Sequence, residues 1–188
     1  MAKKTTKKIT LAPDPANPNR MFAEDKVRMA KSLAEFGDLS GIILNRRTGL
    51  LIGGHQRVDV LAGGTIETTD LPEPEPDGTV ARGALVKDGK QYGLRVVDWS
   101  EAKAHAALLA ANRFGRVGED DNATLKDLLA ELDTGALDMD LTGYTTEAIE
   151  ALMLQEHQDP VDLDADKTDG DKKLAKCPKC GFAFEVAQ

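Results

Sequence analysis

One run of five residues combines two glycines with three polar side chains: Gly53, Gly54, His55, Gln56 and Arg57. It follows a short apolar run and precedes another, a pattern typical of a strand, a turn and a short helix. At such a turn, backbone N–H groups point outward, and glycine lets a phosphate approach the backbone closely. Arg57 adds a bidentate donor, and its two polar neighbours add further hydrogen-bonding groups. The run therefore predicts either a phosphate-binding turn or a plain chain reversal.

The surrounding sequence predicts the elements that must position this turn. Apolar spacing predicts helices over residues 23–37, 55–62 and 100–115, the last with Ser100 as its N-cap. Apolar runs flanking residues 46–49 predict a hairpin, and Asp88-Gly89 predicts a second hairpin with a type I′ turn. A short strand is expected at residues 9–12. Residues 9–116 are therefore predicted to form one α+β domain.

Two more helices and a cysteine-containing tail are predicted after that domain. Residues 117–156 read as an acidic helical segment, in which Asn122 is expected to cap the first helix and Tyr144 to pack against Ile149. The first helix is expected to bury one leucine face, formed by Leu125, Leu128, Leu129 and Leu132. Residues 157–173 read as a flexible acidic linker, residues 174–188 as a hairpin tail, and residues 1–8 as a basic disordered arm.

The net charge of −8 is distributed unevenly along the chain. Residues 1–116 carry +4, residues 117–171 carry −15, and residues 172–188 carry +3. Phosphate binding is therefore expected in the first region, whereas the acidic region would repel nucleic acid. No apolar run approaches the roughly 20 residues that span a bilayer, and the basic start lacks the apolar stretch of a secretory signal. We therefore expect a cytoplasmic protein that does not contact a membrane.

Four stretches occur in a fixed order: NPNR ending at Arg20, AKSLAEFGDLSGIILN ending at Asn45, the GGHQR turn, and LLAANRFGR ending at Arg116. Together they resemble the ParB/sulfiredoxin superfamily, specifically the phage-type ParB-like proteins, some of which have been labelled ParB-like nucleases. The resemblance covers about residues 9–116, and the helix pair at 123–155 is similar to the tail of that phage group. It implies a compact α+β nucleotide-binding fold, located in the host cytoplasm if the protein is phage-encoded.

The resemblance also implies which residues hold a nucleotide. In ParB proteins a Gly-x-Arg-Arg-like turn binds the triphosphate of CTP, and in sulfiredoxins a related turn binds ATP and carries the reactive cysteine. Here the run from Gly53 to Arg57 occupies that turn, and Arg20 is a further candidate contact. Because residues 1–116 contain no cysteine, the thiolate chemistry of sulfiredoxins is not expected.

A second family element is Glu-Asn-x-x-Arg, in which the Glu helps to hold Mg²⁺ near the phosphates. This chain keeps Asn112, but Ala111 stands in place of the Glu and Gly115 in place of the Arg. Arg113 or Arg116 is expected to replace that Arg. Since in-line displacement usually needs a positioned metal or base, the missing carboxylate argues against hydrolysis of CTP or ATP more than against binding. Whether the protein is an enzyme stays open.

The tail contains Cys177 and Cys180 in a Cys-x-x-Cys-Gly arrangement typical of a zinc knuckle. Structural zinc needs four ligands, and the chain has only two cysteines. A second copy could supply the other pair, giving a homodimer through a shared Zn²⁺ site, and His157 could supply one ligand. The alternative is a half-site without a partner.

Three functions remain open at this stage. The first is a ParB-like adapter or regulator that binds a nucleotide and acts on DNA or with a DNA-processing protein. The second is an enzyme, either a ParB-like nuclease or a small NTP-dependent kinase or NTPase. The third is an acidic partner-docking or DNA-mimic protein, for which deletion of residues 117–171 is expected to abolish partner capture and leave nucleotide affinity unchanged. The acidic segment offers no convincing helix-turn-helix, so a partition clamp is not expected.

Overall fold

The computed structural model describes residues 10–154 and two short strands nearer the C-terminus. Within these residues lie a five-stranded sheet, five α-helices and a separate two-stranded sheet. In chain order the elements are α1 (Ala23–Phe36), β1 (Ile42–Asn45), β2 (Leu51–Gly53), α2 (His55–Val60), β3 (Thr65–Asp70), β4 (Thr79–Lys87), β5 (Lys90–Val97), α3 (Glu101–Phe114), α4 (Asn122–Leu132), a 3₁₀ turn (Met139–Thr142), α5 (Thr146–Leu154), β6 (Leu174–Lys176) and β7 (Ala183–Glu185).

The five-stranded sheet has the order β2-β1-β5-β4-β3. Only β1 and β5 pair in parallel, with Ile42 opposite Leu94, and the other neighbours are antiparallel. The predicted turn between β4 and β5 is confirmed, because Asp88 and Gly89 have φ angles of 49° and 76°. The mixed α/β architecture agrees with the predicted combination of helices and hairpins.

One strand prediction needs correction, and one strand of the sheet was not predicted. Of the strand expected at residues 9–12, the described residues form only an isolated bridge between Ala12 and Leu50. Strand β3 was not predicted, because its sequence TIETTD has one large apolar residue and carries no alternating pattern. Its position comes instead from a full antiparallel register with β4.

The sheet is covered on both faces because side chains alternate along a strand. Ile42 and Leu44 point to the face on which α1 packs through Leu33. Ile43 between them joins a second cluster, to which α3 contributes Leu108. Helix α1 ends at Gly37, with a φ of 76°, and α3 begins at the predicted cap, where the Ser100 side chain accepts from the Lys103 N–H.

Helices α4 and α5 form a smaller cluster around Leu129 and Ile149, and Tyr144 packs against it as predicted. The cap of α4 differs from the prediction, since Asp121 rather than Asn122 accepts from the Ala123 N–H. The leucine face of α4 is only partly buried: Leu128 is 52% exposed and Leu132 is 41% exposed.

Several predictions concern residues outside the described ones. The basic arm at residues 1–8, the linker at 157–173 and the zinc ligands Cys177 and Cys180 all belong to this group. Strands β6 and β7 pair antiparallel, with Leu174 opposite Glu185. In the described part of the chain, no helix has the length and apolar character needed to cross a membrane.

Candidate functional site

The glycine turn links strand β2 directly to helix α2, as the sequence predicts. Gly53 ends the strand, His55 begins the helix, and Gly54 between them has a φ of 84°. A Cβ atom on Gly54 would lie 3.1 Å from the Ile42 Cα and 3.2 Å from the Gly41 carbonyl oxygen. Because the left-handed conformation and this close approach both favour glycine, the turn is locally specified.

Hydrogen bonds join the Arg57 side chain to the loop before β1. Its Nη1 donates to the Gly41 carbonyl oxygen over 2.8 Å, and its Nη2 donates to the Ser40 hydroxyl oxygen. Burial lowers the pKa of Arg57, and the negative charge of Asp38 acts in the opposite direction. An arginine stays charged in proteins, so the loop holds a half-buried positive charge at a defined position.

Asp38 in turn holds that loop against strand β5. Its carboxylate accepts from the backbone N–H groups of Gly41 at 2.8 Å and Gly93 at 2.7 Å, and from that of Ser40 at 3.3 Å. Burial alone would raise the pKa of Asp38, but the three N–H donors and the charge of Arg57 outweigh it and the pKa is lowered. Asp38 is therefore an ionised anchor for the residues that position Arg57.

His55 is held by the N-terminal loop through its ring. Its Nε2 accepts from the main-chain N–H of Asp14 over 3.2 Å, an arrangement that requires a ring nitrogen without a proton. Burial is the main cause that lowers the pKa of His55; Asp14 raises it and Arg20 lowers it further. A second histidine, His105, also lies close to this loop, with its Nε2 3.6 Å from an Asp14 carboxylate oxygen.

Two cavities lie beside the turn and share five lining residues, and we call them together the cleft. The smaller, of about 310 Å³, is lined by the whole Gly53–Arg57 run and by Asn112 of α3. The larger, of about 690 Å³, is lined by Arg20 and Arg116. Arg57 lines both cavities. The structure thus brings together all the predicted contacts except Arg113, which is exposed and lies outside the residues lining this cleft.

The loop at residues 17–20 ties α3 to the turn. The Asn17 side-chain oxygen accepts from Asn112 Nδ2 over 2.9 Å, and the Asn19 side-chain oxygen accepts from Arg116. Arg20 donates back to the carbonyl oxygens of Asn17 and Asn19. Sequence reasoning missed Asn17, Asn19, Asp38 and Ser40. The Asn-Pro-Asn run was the available signal for the first two, because asparagine and proline mark a structured turn.

The side chains of the smaller cavity do not fit a protein-held Mg²⁺. Its side-chain oxygens among the described residues come from amides and a hydroxyl, and Ala111 occupies the place of the expected carboxylate; these oxygens lie on Asn17, Asn19, Gln56, Asn112 and Ser40. Mg²⁺ is usually bound through one or two carboxylates together with substrate phosphates. In the part of the chain described, no cluster of three or more His, Cys, Asp or Glu side chains could hold a metal ion.

Comparisons with known proteins found similarity among solved structures but not among sequences. No protein-family model matches the chain, and no curated protein matches its sequence. Among solved structures, it is similar to the C-terminally truncated chromosome-partitioning protein ParB from Caulobacter crescentus, crystallised with CTP-gamma-S. The TM-score is 0.49 and the sequence identity 13%, over 76% of this chain and 72% of that chain. The bound nucleotide is a property of that protein.

Proposed function

We propose that this protein binds a nucleoside triphosphate, CTP or ATP, in the cleft beside Gly53–Arg57, and acts as an adapter or regulator in a DNA-related process. The position of Arg57 carries the proposal. Its guanidinium is fixed by Gly41 and Ser40, and the residue lines both cavities. A guanidinium group that is fixed in position and lines both cavities can bind a phosphate chain that extends from one cavity into the other.

The charge of the cleft supports an anionic ligand. Arg20, Arg28, Arg57 and Arg116 line the larger cavity, against one acidic residue, Asp25. Asp25 pairs with Arg28 at 3.0 Å. The remaining excess of positive charge attracts an anion, and cavities of about 300–1,000 Å³ are typical for small ligands. The choice of CTP or ATP and the link to DNA rest on the sequence resemblance.

Binding without turnover is the form of this function that the donor set favours. Ala111 leaves the smaller cavity with amide and hydroxyl oxygens but without a carboxylate among its described lining residues. Phosphate contacts and arginines suffice to hold a nucleotide, whereas in-line displacement needs a positioned metal or base. The nuclease, kinase and NTPase alternatives therefore require a group beyond those lining this cavity.

A thermal-shift screen of the full chain with all four NTPs, each with and without Mg²⁺, tests the proposal. A ligand that binds only the folded state raises the melting temperature. We expect CTP or ATP to raise it in the wild type and in Arg47→Ala. Arg47 is an exposed arginine that pairs with Asp98 at 2.7 Å and lies outside the cleft lining. No shift with any of the four nucleotides would reject nucleotide binding.

Turnover assays separate the binding function from the enzymatic alternatives. We expect neither phosphate release from the bound NTP nor nicking of a supercoiled plasmid, with or without Mg²⁺. Sustained phosphate release would establish an NTPase or kinase. Plasmid nicking that survives repeated purification would establish a nuclease.

A further inference from the structure

Part of the larger cavity is built from the acidic helical segment rather than from residues 9–116. Leu141, Thr142 and Gly143, at the end of the 3₁₀ turn, line this cavity together with Ser32 of α1 and Arg57. The acidic segment therefore contributes directly to the cleft. We call Asp138–Gly143 the acidic strap.

Ion pairs hold the acidic strap against α1. Lys31 Nζ lies 2.9 Å from Asp138 Oδ2 and also contacts the Asp140 carboxylate, and Arg28 Nε lies 3.4 Å from Asp140 Oδ1. Lys31 is the main cause that lowers the pKa of Asp140. These pairs fix the strap through two basic residues on one face of α1.

The strap is ordered internally and joined to the helix pair behind it. Asp138 caps the 3₁₀ turn, because its side chain accepts from the Asp140 N–H over 3.1 Å. The Thr142 hydroxyl donates to the Met139 carbonyl oxygen at 2.7 Å and accepts from the Tyr144 N–H at 3.2 Å. Tyr144 packs against the small α4–α5 core. Movement of the strap away from α1 would therefore shift the helix pair as well.

The two cavities share part of their lining and differ in the segments that complete it. Apolar side chains form much of the wall of the larger cavity, including Met21, Phe22, Met29, Leu39 and Leu141. Met21 and Met29 line the smaller cavity as well, but Gly53 and Gly54 of the glycine turn line only the smaller one, and Leu141 and Thr142 line only the larger one.

Three arginines line the larger of the two cavities but not the smaller, and each has a protein partner: Arg28 pairs with Asp25 and Asp140, and Arg20 and Arg116 bond to the loop at residues 17–20. A ligand whose phosphates lie at the glycine turn and Arg57 would therefore extend its other end into the larger cavity, beside Leu141 and Thr142.

We infer that the acidic strap is a wall of the ligand site that contacts the nucleoside part of a nucleotide, through Leu141 and Thr142. This inference rests on the proposed function, since it assigns the two ends of the same ligand to the two cavities. By linkage, a ligand that touches both the strap and the glycine turn strengthens the docking of the acidic segment on α1, and that docking strengthens ligand binding by the same factor.

Affinity measurements with two kinds of probe test the strap. The nucleotide probes are CTPγS and ATPγS, and the phosphate-only probe is inorganic tripolyphosphate. Asp138→Asn combined with Asp140→Asn removes the charges while an amide oxygen can still cap the turn, and Leu141→Ala removes the apolar contact without touching the ion pairs. Glu75→Gln is the matched control, because it breaks an exposed ion pair with Arg82, measured at 2.6 Å, outside the cleft lining.

We expect both strap variants to weaken binding of the better nucleotide probe by about 3- to 10-fold, the scale of two partly exposed ion pairs or one apolar contact. Tripolyphosphate affinity should stay within about twofold of the wild type, and Glu75→Gln should change neither. Equal losses for both probes, or no loss in either strap variant, would overturn the inference and leave the proposed function intact. A wild type that binds none of the three probes would instead overturn both.

Hydrogen exchange provides a second readout in the full-length wild type. If the strap contacts the nucleoside, the nucleotide probe slows exchange at residues 138–144, and tripolyphosphate does not. Unchanged exchange at these residues with saturating CTPγS and ATPγS would contradict the inference even if the affinities behaved as expected.

Discussion

The main-chain N–H of Asp14 donates a hydrogen bond to Nε2 of His55 over 3.2 Å, and this fixes a neutral imidazole at the start of helix α2. The neutral ring then carries its proton on Nδ1. The bond joins the loop that contains Asn17 and Arg20 to the glycine turn. Protonation of His55 at Nε2 removes the acceptor, so the loop and the turn are coupled through the protonation state of one side chain.

This coupling predicts how stability depends on pH. The pKa of folded His55 is lowered from its ordinary value of about 6.5, chiefly by burial. As pH falls, the unfolded chain therefore binds a proton at His55 before the folded protein does. The contribution of the neutral ring to the free energy of unfolding is fully present above about pH 6.5 and is lost as pH falls towards the lower pKa of the folded state. Urea denaturation between pH 7.5 and 5 measures this loss.

His55→Gln is the comparison that isolates the effect, since neighbouring Asp14, Arg20 and His105 remain in place. The variant should lose less stability than the wild type over the same pH range, although it is less stable at pH 7.5. Parallel pH profiles for the two proteins would show that His55 does not titrate differently in the folded and unfolded states.

Substitution of Gly54 should cost more than substitution of a glycine with the same backbone angle in open space. Gly54 has a φ of 84° and would place a Cβ 3.1 Å from Ile42, whereas Gly63, just after α2, has a φ of 85° and nothing within 4 Å. The left-handed conformation destabilises both Ala variants by about 1–2 kcal/mol. In Gly54→Ala the added methyl group also crowds Ile42, which lowers the stability further. Urea midpoints of the two variants measure the difference. Equal destabilisation would mean that the turn can relax around the added methyl group.

Asp38 should stabilise the loop that positions Arg57. Asp38→Asn removes a charged acceptor from the N–H groups of Gly41 and Gly93, and we expect a loss of about 1–3 kcal/mol at pH 7. Because the folded pKa of Asp38 is lowered, this contribution is present above about pH 3.8 and is lost as pH falls below it. Urea denaturation at pH 7 measures the loss, and a second series near pH 3 should show a smaller difference.

The control for Asp38 is Asp59→Asn, which breaks an exposed ion pair with Lys26 at 2.5 Å. Exposed pairs contribute little, so we expect less than about 1 kcal/mol for this change. If the two variants were equally stable, the three backbone contacts of Asp38 would carry no net stabilisation.

Local signals account for the parts of the fold that the sequence predicted. The Ser100 cap, the Gly37 stop and the Asp88-Gly89 turn each depend on a few neighbouring residues, and each is confirmed. Strand β3 depends instead on pairing with β4, and its own residues do not alternate between apolar and polar. Its identity as a strand is a tertiary property, which periodicity could not reveal.

The candidate site shows the same difference between local features, which the sequence predicts, and contacts between distant residues, which it does not. The glycine turn is contiguous, so its residues could be recognised together, and the order of the flanking motifs located Asn112 and Arg116. The anchor of the neighbouring loop could not be found this way, because Asp38 binds the N–H of Gly93, 55 positions further along the chain. The strap is equally non-local, since Lys31 and Asp138 are 107 positions apart. The expectation that nucleotide affinity is independent of residues 117–171 was made without this contact and stays a prediction, which the strap variants test.

Arg57 should dominate the affinity for any phosphate-bearing ligand. Arg57→Ala removes a charged, bidentate donor, and we expect it to weaken binding of CTPγS or ATPγS by about 1.5–3 kcal/mol, or roughly 10- to 150-fold in Kd. Tripolyphosphate should lose affinity to a similar extent, which distinguishes this residue from the strap. Titration calorimetry on the full-length chain measures both.

Arg57→Lys and Arg47→Ala complete that measurement. The lysine keeps the positive charge but cannot reproduce the two simultaneous bonds to Gly41 and Ser40, so its affinity should lie between those of the wild type and Arg57→Ala. Arg47→Ala, an equal loss of charge outside the cleft lining, should leave affinity unchanged. Circular dichroism and the melting temperature of each variant show whether the fold persists without these bonds. A folded Arg57→Ala protein that binds both probes as tightly as the wild type would remove Arg57 from the ligand site and, with it, the basis for placing phosphates at the glycine turn.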